Sequence, residues 1–70
     1  MDDILVRYGK AVRKIRKKQK ISQEEFADKC GLHRTYISDV ELGKRNVSLE
    51  NIERIANALG MTLSEFFNNV

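Results

Sequence analysis

Seventy residues containing one cysteine, Cys30, and no proline make a single small domain that neither a disulfide nor a four-ligand zinc site can brace. A chain this short buries only about 60% of the surface it exposes when unfolded, which leaves oligomerisation as the route to more buried area. The formal charge of +3 is unevenly spread: residues 1–20 carry eight basic side chains and two acids, residues 21–46 four and five, and residues 47–70 one and three. That asymmetry points to a polyanionic partner on one face. No apolar run approaches the roughly 20 residues needed to span a bilayer, and no signal-peptide pattern is legible. A free cysteine then fits a reducing compartment, so the expected location is cytoplasmic.

Ile4, Leu5, Tyr8, Val12 and Ile15 recur at helical spacing and predict a first helix over about 4–18, with Arg7, Lys10, Arg13, Lys14 and Lys17 on its other faces and Asp2 or Asp3 as its cap. Ser22 followed by Glu25 is a capping box that opens a second helix at Gln23, with Phe26, Ala27 and Cys30 as its apolar stripe and Gly31 as its stop. A third helix is predicted from Arg34 to Leu42, with Ile37 and Val40 inward and Gly43 ending it. After a polar loop, Ser48 caps a fourth helix whose stripe is Leu49, Ile52, Ile55, Ala56 and Leu59. Thr62 and Glu65 form another capping box before a short last helix with Leu63, Phe66 and Phe67. The fold class is therefore all-α, five helices joined by short connections.

Helices two and three carry the functional signal. Small Ala27 permits close approach, Gly31 makes the corner, and Ile37 fills the angle between the helices, which is the spacing of a DNA-binding helix-turn-helix over about 22–42. These residues, with "RKIRKKQKISQEEFADKCG" before the corner and "ELGKRNVSLENIERIANALGMTLSEFF" after it, resemble the phage repressor and Cro-like helix-turn-helix regulators. "LHRTYISDVELGKRNVSLENIERIA" looks most like the controller proteins of restriction–modification systems. The resemblance implies a lambda-repressor-like fold with dimerisation helices at about 49–69. It also implies a transcriptional regulator that activates or represses, its own promoter included.

On a wheel of about 100° per residue with Ile37 and Val40 inward, Thr35, Ser38 and Asp39 point outward and Arg34 projects from the leading end. These four are the candidate base readers. Arg34 can donate twice to the O6 and N7 of a guanine; Thr35 offers a hydroxyl and a methyl; Asp39 either accepts from a cytosine amine or holds Arg34. Candidate phosphate contacts are Gln23 at the positive end of helix two, Tyr36, and Lys44, Arg45 and Asn46 in the following loop. Resemblance to controller proteins adds a base or groove-edge contact for Arg45. His33 reads as a helix cap or phosphate-side residue, Tyr36 as either packing or phosphate contact, and Glu41 as solvated. The cationic first helix supplies long-range field and some phosphate contact, while the acids penalise the wrong duplex.

Cys30 and His33 have metal-like spacing but no further cysteine or histidine to join them, and Cys30 reads as a small buried hydrophobe. Ser22, His33 and Asp39 fall on a cap, a corner and an exposed face, so they form no triad. No phosphate loop or carboxylate cleft is present, and neither catalysis nor a cofactor is expected. Leu63, Phe66, Phe67 and Val70 exceed what one small core can hide; one phenylalanine caps that core and the surplus points to a subunit interface. The expected assembly is a homodimer placing two reading helices about 34 Å apart on a two-fold symmetric operator. With no chain left to hold a sensing domain, no small-molecule effector is expected. The rivals are an antitoxin-like protein-interaction module and RNA binding.

Overall fold

The computed structural model describes residues 3–70, which form five helices: α1 (Ile4–Lys18), α2 (Gln23–Cys30), α3 (Arg34–Glu41), α4 (Leu49–Ala58) and α5 (Leu63–Phe67). Asp3 caps α1 by accepting a hydrogen bond from the Leu5 amide at 3.0 Å; the alternative cap, Asp2, lies outside the described residues. Both capping boxes form, Ser22 with Glu25 and Thr62 with Glu65, and Ser48 accepts from the Asn51 amide at 3.2 Å. Helices α3 and α4 each stop one residue short of the sequence expectation, with Leu42 and Leu59 as C-caps.

Helix α3 is held between α1 and α2, and α4 packs on α2 and carries α5. Val12, Phe26, Ile37, Val40, Ile55 and Phe66 are the large side chains at the centre of the core. The corner forms as its residue types require: Ala27 is buried, Ile37 is fully enclosed, and Gly31 takes the left-handed conformation at φ 71° that side chains resist.

Gly9 is where α1 crosses α3. A Cβ there would run into the Val40 carbonyl oxygen and lie 2.8 Å from that of Glu41. Alanine would favour the helix by ~1 kcal/mol, but overpacking against rigid backbone costs about 1–3 kcal/mol or more. Gly9→Ala is therefore expected to destabilise, lowering the melting temperature by about 4–8 °C for each kcal/mol lost, as read by thermal denaturation followed by circular dichroism.

Three sequence expectations need correction. Leu49, assigned to the inward stripe of α4, is 81% exposed: it is the first residue of that helix, between exposed Ser48 and Glu50, and burial of the stripe begins only at Ile52. Phe66, expected at a subunit interface, is fully enclosed within the protomer, 5.3 Å from Tyr8 between ring centroids and edge-on to Phe67. Glu41, expected to be solvated, is 7% exposed and paired with Arg16, the other buried charge. Arg16 Nε and Nη2 donate to the two carboxylate oxygens at 2.7 and 3.0 Å, while Nη1 donates to the Ile21 carbonyl at 2.9 Å. This fork is the geometry in which a buried ion pair recovers its desolvation cost.

Candidate nucleic-acid interface

With Ile37 and Val40 turned into the core, α3 presents its other face to solvent. Arg34 and Thr35 are exposed at its leading end, and Ser38 and Asp39 are half-buried along its flank. Arg34 Nη1 donates to Gln23 Oε1 at 3.3 Å, bridging the first residues of α3 and α2. Gln23 is half-buried, and its Nε2 donates in turn to Glu41 Oε1 at 3.1 Å.

Asp39 holds Arg45 rather than Arg34, at 3.4 Å between Oδ2 and Nη2. The Arg45 guanidinium carbon also lies 4.8 Å from the centre of the Tyr36 ring. Cation–ring attraction and a half-exposed ion pair thus fold the loop arginine back beside α3. Tyr36 is half-buried against the core and its hydroxyl accepts from Asn51 Nδ2 at 3.0 Å. Lys44 and Asn46 are exposed in the same loop, and His33 is an exposed N-cap whose side chain makes no capping hydrogen bond.

Arg13 was read only as one of several cations on α1. The structure gives it a particular place, on a cleft of about 230 Å³ shared with Arg16, Gln23, Ser38, Glu41 and Leu42. It thereby brings a cation from α1 to the side that carries Gln23 and Ser38. Arg7, Lys10, Lys14, Lys17, Lys18 and Lys20 are exposed too, and among the described residues the ion pairs are Arg16–Glu41 and Arg45–Asp39. Apart from Arg16, the cations of α1 are therefore not neutralised by paired acids.

Burial pushes the Cys30 thiol up to about 11, which keeps it protonated and unsuited to metal ligation or nucleophilic attack at neutral pH. Among the described residues no group of three or more His, Cys, Asp or Glu side chains could hold a metal ion. None of their helices is long and apolar enough to cross a membrane.

Five helices with a glycine corner between the second and third, and an exposed arginine heading the third, define a helix-turn-helix protein of the repressor-like class. The chain belongs to the helix-turn-helix family, whose model matches residues 12–66. It is non-enzymatic, as that family is. It is 52% identical over 71 residues to the control protein C.MunI of a Mycoplasma species, covering 100% of this chain and 96% of the relative. The restriction-modification controller protein C.AhdI of Aeromonas hydrophila superposes with a TM-score of 0.88 at 44% identity, over 91% of this chain and 97% of the other. Controller protein C.Esp1396I, solved as a tetramer in complex with its natural 35 base-pair operator, gives 0.90 at 32% identity, over 97% and 90% of the two chains.

Proposed function

We propose that this chain is a restriction–modification controller protein, a cytoplasmic, sequence-specific DNA-binding regulator of transcription that acts as a homodimer on a two-fold symmetric operator. The observation that carries the proposal is the exposed leading end of α3: Arg34 and Thr35 stand free of the core while Ile37 and Val40 beneath them are 0% and 1% exposed. In this geometry Arg34, Thr35, Ser38 and Asp39 enter the major groove as base readers. Gln23, His33, Tyr36, Lys44, Arg45 and Asn46 meet the backbone, with Arg13 joining them. Similarity to operator-binding and controller relatives supports the same reading. The protein's own concentration then sets regulation, monomers pairing and dimers filling operators, with activation or repression decided by where the operator lies.

The dimer surface follows from what the protomer core leaves out. Leu63 and Phe67 are 39% and 42% exposed, and they share a face of α5. Val70 is half-buried against the core, and exposed Ile4 lines one hollow with Phe67, which enlarges the apolar area beyond the residues expected from sequence. Phe66 serves this surface from beneath, by packing against Phe67. Phe67→Ala is expected to shift the monomer–dimer equilibrium toward monomer by about tenfold or more, the size of effect seen when a central aromatic contact is truncated. Sedimentation across a concentration series measures it; an unchanged equilibrium places the interface elsewhere.

DNA binding itself is tested by titrating a labelled random-sequence duplex at several salt concentrations. The affinity should fall steeply with salt, and Lys44→Ala should weaken every duplex alike while reducing the slope of log K against log salt by about 1. Binding that ignores salt, or that prefers single-stranded RNA to duplex, contradicts the proposal.

A further inference from the structure

We propose that Glu41 and Gln23 are positioning residues for Arg34, so that a buried ion pair between α1 and α3 helps set the protein's choice of base. This rests on the reading of Arg34 as a base contact. The chain of hydrogen bonds runs from core to surface. Arg16 is anchored on the Ile21 carbonyl and fixes both oxygens of the Glu41 carboxylate, and Glu41 Oε1 also accepts from Gln23 Nε2. Gln23 Oε1 then accepts from Arg34 Nη1.

The chemistry of each group permits only this order. An ionised carboxylate accepts and cannot donate, so Gln23 must turn its NH₂ inward to Glu41. Its oxygen is thereby left facing outward, and an arginine, which only donates, can bind nothing else on that amide. Turned the other way, the amide would set NH₂ against guanidinium and a carbonyl oxygen against carboxylate, two repulsive pairs. The buried acid thus selects the amide orientation that can hold Arg34. With Nη1 engaged, Arg34 keeps donors on Nη2 and Nε for a base edge, and restraining a long side chain beforehand lowers the ordering cost of the contact.

The test is a double-mutant comparison in the full chain. The probes are the duplex most enriched by the wild-type protein from a random pool and the same duplex with each base pair replaced in turn. Arg34→Ala identifies the base pair that this arginine reads. Gln23→Ala is expected to lower the wild-type preference at that base pair by roughly 3- to 30-fold, with preferences elsewhere unchanged. Any phosphate contact of Gln23 cancels in the ratio of matched to mismatched duplex. In the Arg34→Ala background, Gln23→Ala should change the ratio no further. Replacing the ion pair with apolar residues (Arg16→Met with Glu41→Met), a change buried pairs often tolerate, should reproduce the Gln23→Ala loss in a folded protein. Retention of the preference in Gln23→Ala, an equal loss in both backgrounds, or full preference in the Arg16→Met/Glu41→Met protein would overturn the positioning role. If Arg34→Ala alters preference at no base pair, the base-reading role fails, and the positioning role with it.

Discussion

Glu41→Ala is expected to cost about 3–5 kcal/mol of folding stability, because it strands the Arg16 guanidinium in a buried site. Arg16 is 7% exposed, and two of its three hydrogen bonds end on Glu41. Global stabilities run at roughly 0.05–0.15 kcal/mol per residue, so for 70 residues this one substitution removes from about a third of the total to all of it. The variant should melt about 12 °C lower or more, at about 4–8 °C for each kcal/mol. Urea denaturation followed by circular dichroism measures the loss. Arg16→Ala should cost a similar amount, since the carboxylate left behind keeps only the Gln23 amide, just as the stranded guanidinium keeps only the Ile21 carbonyl. A melting temperature for Glu41→Ala within a few degrees of wild type would show that water or rearrangement compensates the stranded cation.

Arg34→Ala is expected to act on the other axis, discrimination rather than stability. The side chain is exposed, and its protein contact is a 3.3 Å hydrogen bond at the surface, so its removal should leave helix content and melting nearly unchanged. A bidentate arginine–guanine contact is worth about 1–3 kcal/mol of base discrimination. In a dimer that loss falls on both half-sites, so affinity for the selected duplex should drop by about 30-fold or more. Affinity for random duplex should fall much less, because one cation among many supplies only a small share of backbone attraction. Anisotropy titrations of the two duplexes side by side read both numbers. An equal fall for both would reassign Arg34 to the backbone.

Much of this was legible in the residues because it depends on local rules. Periodicity located α1 at the observed bounds, and the three Ser or Thr caps each marked a helix start that the structure contains. The corner at Ala27, Gly31 and Ile37 depends on steric requirements that few residue types meet, so three positions carried the fold of the helix-turn-helix.

What escaped depends on facts outside any single helix. Arg16 continues the row of Tyr8 and Val12, four residues on, and Glu41 likewise continues the row from Ile37; opposite charges on two inward rows are a signal of a buried pair. The rule that charges face solvent hid it. Phe66 and Phe67 differ by about 100° around their helix, so only one can be fully enclosed, and Tyr8 from α1 packs against both. Leu49 fits the stripe of α4 in angle, but it is the first residue of the helix and burial of that stripe begins only at Ile52. The folding back of Arg45 onto Asp39 and Tyr36 belongs to a loop, where no periodicity operates.

The central claim, that the outward face of α3 reads nucleotide sequence, is tested most directly by parallel selections from one random duplex pool at physiological salt, using the wild-type protein and Arg34→Ala. The wild type should enrich a two-fold symmetric motif with half-sites about one helical turn apart, and the variant should return that motif with one base-pair preference per half-site erased. Recovery of no symmetric motif by the wild type, or of an identical motif by both proteins, would contradict it.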